Sequence, residues 1–325
     1  MTFAKTTGEG ASQGAPATEE RIESGVEPMG ATEHEPPTEH VGRTGAVAGY
    51  RPEHTLRLGV ELRRQFKRRR TIGVFLAMAA LPLLLIGALH LGSGGGPGGR
   101  NREINLVDVA TASGLNFTLF VLFAASGFFL VVVFALFYGD TVASEASWGS
   151  LRYTLATPVP RRRLLRQKWY AALVMAVGAF LTLVVVSVVA GGLFYGFSDV
   201  TTPIGLSIGQ GSAFLRLAGM VGYLTVHLLV VGALAFWLST ITDAPLAAVG
   251  GAVFTMIVFA ILEQVTQLGS IRDYFPSAYG IAWTDLLQTP VDSGNLFRGV
   301  IQSLIYIVVL TGLGFVHFGR RDVTS

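Results

Sequence analysis

Six long stretches of the chain carry no charged side chain and are mostly apolar: 71–91, 114–138, 169–197, 217–242, 244–262 and 299–319. A helix rising about 1.5 Å per residue needs about 20 apolar residues to cross some 30 Å of hydrocarbon. Every stretch is close to that length or longer. The pattern therefore predicts an all-α, polytopic membrane protein with six transmembrane helices. Pro82 falls inside the first stretch and predicts a kink. The short turn 239–245 joins the fourth and fifth stretches into a helical hairpin. Between the first two lies Gly-Ser-Gly-Gly-Gly-Pro-Gly-Gly (92–99), a flexible linker in composition. Segment 263–298 holds Tyr274, Phe275, Tyr279, Trp283, Leu286 and Leu287. So many large apolar groups predict short interfacial or re-entrant helices there.

Two further segments are amphipathic. Over 56–70, Leu58, Leu62 and Phe66 share a narrow stripe, with Arg57, Arg64, Lys67 and Arg68 opposite. This predicts an interfacial helix with its basic side toward lipid headgroups; a plain basic flank of the first span is the alternative. Over 142–156, Trp148, Leu151 and Leu155 share a helical face. Pro158 and Pro160 end that helix and push Thr157 toward an extended conformation. Arg161, Arg162 and Arg163 follow, then a second helical stretch leads into the third span. An apolar face on such a helix needs a cover, either lipid or a groove on a soluble partner.

Composition changes the picture at the ends. The chain has 325 residues, 51% hydrophobic and 14% charged, with a mean hydropathy of +0.53. All charged residues lie outside the six stretches, where their density is that of an ordinary soluble protein, about 25%. Residues 1–40 carry eight Glu against Lys5 and Arg21, so the head is acidic and the remainder basic. Residues 1–55 lack the large apolar groups needed for a core and predict a disordered acidic tail. His34 and His40 sit in that tail without an ordered ligand set. With both termini inside, the inner flanks hold fifteen Lys and Arg and the outer flanks five. That asymmetry places both termini in the cytoplasm. Zero Cys excludes disulfides, thiolate metal sites and Cys nucleophiles. Basic residues that flank apolar runs are not the solvated, aromatic-interleaved surface of a nucleic-acid binder.

The inner loop 139–168 reads GDTVASEASWGSLRYTLATPVPRRRLLRQK. Its Glu145, Gly149-Ser150-Leu151, Leu155, Pro158-Val159, Arg161, Leu164-Leu165 and Lys168 resemble the loop motif of type-2 permeases of ATP-binding-cassette (ABC) transporters. Six spans with both termini inside agree with that family. So does the ending Phe318-Gly319-Arg320-Arg321-Asp322, similar to its aromatic-Arg-Arg-Asp ending. The resemblance covers roughly 57–325; the long acidic tail departs from it. With the tail read from composition, this gives two regions, the acidic tail 1–55 and a permease domain 56–325, the latter implied by the resemblance. It also implies that the loop is a cytosolic coupling helix seated on a separate ATP-binding subunit. On that reading Glu145, Trp148, Gly149, Leu151, Leu155, Pro158 and Arg161 form the partner interface. The helix 56–70 is similar to the family's connecting helix.

The chain has no G-x-x-x-x-G-K-[ST] loop, no G-x-S-x-G and no H-E-x-x-H. It is expected not to be an enzyme by itself, with no catalytic, cofactor or metal residues of its own; ATP and Mg would sit on the partner. The resemblance implies the transmembrane subunit of an exporter in a prokaryotic plasma membrane, paired with a second permease copy or a related chain. A scaffold without transport is the alternative. An ion-coupled carrier fits less well, because no Asp or Glu lies within the spans. Asn116 and His227 are the candidate path-lining residues, since polar groups at membrane depth are functional candidates; a neutral His bonded between helices is the other reading of His227. Gly192 and Gly196 form a G-x-x-x-G suited to close helix approach, or simply reflect glycine enrichment of membrane helices.

Overall fold

The computed structural model describes residues 58–92, 106–147, 161–201 and 207–320. Nine α-helices run through these segments: α1 (Leu58–Phe66), α2 (Arg69–Gly92), α3 (Leu106–Thr111), α4 (Gly114–Ser126), α5 (Phe129–Ser147), α6 (Arg161–Tyr195), α7 (Gln210–Ile241), α8 (Pro245–Glu263) and α9 (Gly294–Arg320). Two residue pairs, Val200–Thr201 (β1) and Ser207–Ile208 (β2), form a small antiparallel ladder. Two 3₁₀ segments, Thr266–Tyr274 and Ala282–Leu287, lie between α8 and α9.

The protein is a polytopic helical membrane protein. Five helices are long and apolar enough to span a bilayer, six when the bent pair α4–α5 is counted as one span. That pair corrects the second expected span. The stretch 114–138 is not one helix but two, bent by 58° at Gly127–Phe128. The spans are also longer than their apolar cores. Helix α6 has 35 residues, about 52 Å at 1.5 Å per residue, so its Arg-rich start projects beyond the hydrocarbon.

Helix α7 is the central element. It packs on α5, α8 and α9, and two thirds of its apolar window is buried. Helices α2, α8 and α9 are peripheral and turn Leu84, Leu246, Phe254, Ile305 and Val308 outward, each more than half exposed. Between the helices Phe117, Phe134, Phe180, Phe236 and Met175 are fully buried. Lipid tails are as apolar as these side chains, so cohesion comes from close packing and interhelical hydrogen bonds.

Glycine makes one of those close approaches possible. A Cβ on Gly114 would sit 2.5 Å from the backbone nitrogen of Gly192, so α4 and α6 touch backbone to backbone. Gly196, at φ +73°, ends α6 in the left-handed region, and its carbonyl accepts from the Gly114 N–H at 2.8 Å. The G-x-x-x-G pair thus divides its work: Gly192 packs within the chain and Gly196 terminates the helix.

The end that receives the 3₁₀ segments is tied down by side chains. Arg216 of α7 donates to the carbonyls of Leu286 (2.9 Å) and Gln288 (3.0 Å). Tyr223 donates to the Tyr279 carbonyl (2.7 Å), Gln302 to Phe275 (2.7 Å) and Tyr306 to Tyr274 (2.7 Å). Trp283 is fully buried. The aromatic-rich segment therefore packs as short helices against α7 and α9.

Candidate functional site

At the opposite end, α1 lies against α6, and the ends of α5 and α6 face each other. Segment 148–160 leaves from the end of α5 and returns at the start of α6. Its expected interface residues Trp148, Gly149, Leu151, Leu155 and Pro158 fall outside the described residues, as do the tail, the glycine linker and the residues after Arg320. Arg161 is the first residue of α6. What the structure describes is the frame from which the segment hangs.

That frame is an ion cluster. Glu145, on the last turns of α5, pairs with Lys168 of α6 at 2.5 Å; both side chains are buried. Arg64 of α1 reaches the same carboxylate at 2.8 Å and Glu61 at 3.1 Å. One turn earlier on α5, Asp140 receives Arg68 at 2.9 Å and also contacts Arg70. Burial opposes the charge of Arg64, but the hydrogen bond to Glu145 and the pull of Glu61 outweigh it and raise its pKa. Burial, with the nearby Arg64, lowers that of Arg68. Around these groups opens a cleft of about 590 Å³, lined by Arg64, Arg68, Arg69, Arg70, Asp140 and Glu145, with Pro245 also in its wall.

A third tie fixes α5 to α7. Ser239 is buried; its Oγ lies 3.3 Å from Thr141 Oγ1 and accepts from the Val142 N–H at 3.1 Å. The end of α5 is therefore gripped by α1, α6 and α7 together.

Three expectations change here. The helix over 56–70 is not continuous: α1 stops at Phe66, a turn follows at Lys67–Arg68, and Arg69 and Arg70 belong to α2. Part of its apolar stripe rests on protein, with Leu62 against the core and Phe66, half exposed, in a tilted contact with Phe75 at 5.5 Å. Its Arg64 turns to internal carboxylates instead of headgroups. Likewise no helix begins at Val142; α5 runs through that position to Ser147. Glu145 consequently sits inside the frame, only 5% exposed, not at a rim open to a partner. Asp140, which the sequence places at the edge of a loop, is a member of the cluster. Its acid-to-base spacings of 70 and 72 residues carry no local signal.

The two polar candidates within the spans are not brought together. Asn116 donates to the Thr201 carbonyl (2.6 Å), accepts from the Thr201 N–H (3.1 Å) and accepts from Ser113 Oγ (2.9 Å). Its amide is occupied in clamping β1 to the start of α4. His227 lies near the middle of α7, buried and stacked on Tyr223 with ring centroids 6.3 Å apart.

Residues 104–324 match the family described as "Protein of unknown function (DUF2705)". The chain belongs to that family. The DUF2705 match takes in Asp140, Glu145, Lys168, Asn116 and His227, and begins after α1 and α2 have supplied the arginines. The chain is also similar to a protein of Bacillus subtilis (strain 168), "Uncharacterized protein YhcI". The two are 25% identical over 225 residues, covering 65% of this chain and 67% of that protein.

Proposed function

We propose that this DUF2705 protein is the membrane-spanning subunit of an ATP-driven exporter of the type-2 ABC permease kind. It would work without hydrolysing ATP itself, and segment 148–160 would seat on a separate ATP-binding subunit. The observation that carries this reading is the frame around that segment. Glu145 and Lys168, the first and last residues of the motif, lie 23 positions apart and form a buried pair. Such a pair fixes where the segment leaves and rejoins the membrane domain. A force applied to the segment would then reach α5 and α6 together, and through Ser239 the central helix α7. The Trp148, Leu151 and Leu155 face would supply the buried area of the contact, and the excess of arginine at the adjoining cleft suits an acidic rim on the partner. Both termini would be cytoplasmic, in the plasma membrane of a prokaryote. The lipid-facing apolar sides of α2, α8 and α9 leave room for a second permease copy.

The test is co-purification. The protein is coexpressed with candidate Walker A ATPases of its own organism and isolated in detergent. The ATPase is expected to co-purify and hydrolyse ATP in the complex. Leu151→Asp, which puts a charge on the contact face, should abolish both while leaving membrane insertion intact. Equal recovery and equal ATPase activity with Leu151→Asp would overturn the assignment of the loop. Absence of any bound ATPase would favour a scaffold role.

A further inference from the structure

Behind the bend at Gly127–Phe128 lies a half-open cavity of about 470 Å³, walled by the bend, α7, α8 and the turn 277–281. Its size falls in the usual range for small-molecule sites, about 300–1,000 Å³. Most of the lining is apolar. Its polar lining residues are Ser126, His227, Glu263, Gln264 and Ser277, and of these His227 and Ser277 each carry a buried atom, Nδ1 and Oγ, with no hydrogen-bond partner among the described residues. Buried polar atoms without partners are rare, because each forfeits its bonds to water. They belong to neighbouring elements. The Ser277–Gly280 turn closes with a 2.8 Å hydrogen bond and packs on the imidazole, so that a Cβ on Gly280 would lie 3.4 Å from His227 Nε2. Tyr223, stacked on the same ring, spends its hydroxyl on Tyr279 and leaves Nδ1 unserved.

The mouth says where an occupant comes from. Phe128, Ile257, Ile261 and Ile281 line the cavity and are also exposed. They form an apolar rim on the lipid-facing side. The charged lining residue is Glu263, whose backbone carbonyl accepts from Arg272. An acidic residue in the lining disfavours an anionic occupant.

We infer that this cavity binds a neutral amphiphile that enters from the hydrocarbon, its apolar body filling the pocket and its single hydroxyl pairing with His227 Nδ1 and Ser277 Oγ. A hydroxyl is one donor and two acceptors, so its bonding capacity matches an imidazole nitrogen and a serine hydroxyl together. The bend in the second crossing acquires a purpose on this reading. A straight helix would fill the space, and irregular backbone at membrane depth is tolerated where it lines a cavity.

The experiment uses the full chain in phosphatidylcholine nanodiscs and two photoreactive probes, a diazirine-bearing dodecanol and the matching diazirine-bearing dodecane. The alcohol is expected to label peptides containing 127–131 and 256–264 saturably, with competition by unlabelled dodecanol. In the double variant His227→Leu, Ser277→Ala its apparent affinity should fall roughly tenfold, the value of a lost hydrogen bond or two, while dodecane labelling is unchanged. Ser277→Ala alone provides the milder substitution if the double variant does not fold. Non-saturable labelling of the unmodified protein, or equal alcohol affinity in variant and unmodified protein, would overturn the inference. So would crosslinks from these peptides to a second copy of the chain when a bifunctional crosslinker replaces the probes. No ATPase enters the measurement, so its failure and that of the proposed partner are separable.

Discussion

Replacing Glu145 by Ala leaves Lys168 buried without its counter-ion. Both side chains are nearly inaccessible, at 5% for Lys168 and 7% for Glu145. Removing one partner of such a pair costs about 3–5 kcal/mol, because the remaining charge keeps its desolvation penalty. Arg64 reaches the same carboxylate, but its side chain is 51% exposed. Losing that arm should cost no more than about 1 kcal/mol, since water replaces it. Glu145→Ala should therefore destabilise far more than Arg64→Ala. At some 2–4 °C per kcal/mol, the unfolding midpoint should fall by on the order of 10 °C. The double variant Glu145→Gln, Lys168→Met removes both charges at similar volume and should regain most of that loss. The assay is a thermal ramp on detergent-solubilised protein, read as the monodisperse fraction by fluorescence-detected size exclusion. An unchanged midpoint for Glu145→Ala would refute the reasoning. So would a larger drop for Arg64→Ala, or a double variant no better than the single one.

Two further outcomes follow from the packing. Asn116→Ala deletes the clamp on β1, at a cost of about 1–3 kcal/mol for the groups left unpaired. The Thr201 amide, which donates to Asn116, should then exchange its hydrogen faster in a deuterium-exchange measurement, while amides in the middle of α7 keep their protection. Gly114→Val should abolish recovery of monodisperse protein, because its Cβ would lie 2.5 Å from the Gly192 nitrogen. Gly73→Val on α2, which meets nothing within 4 Å, should be recovered normally.

The sequence by itself determined the class of the protein. Charge-free runs of spanning length leave a helix as the economical way to satisfy every backbone group in hydrocarbon, and that constraint is local and readable. Segment 263–298 was legible for a similar reason: six large apolar groups in a connecting segment need a surface to cover them. The tertiary structure decided the rest. The bend after Ser126 leaves no mark in a run that stays apolar throughout, because depth in the bilayer fixes composition and not straightness. Gly192 and Gly196 have identical spacing to an interhelical motif, yet one faces Gly114 and the other ends a helix; only the partner helix and the backbone angle tell them apart. Asn116 and His227 look alike as polar residues in apolar runs. The first is satisfied by Thr201, 85 residues away, and the second faces a cavity with an unpaired nitrogen. Glu145 reads as an exposed loop carboxylate until α1 and α6 close over it. Periodicity reports which face of a helix is apolar, whereas the partner of a buried charge is set by contacts 23 to 81 residues distant, and those exist only once the helices have packed.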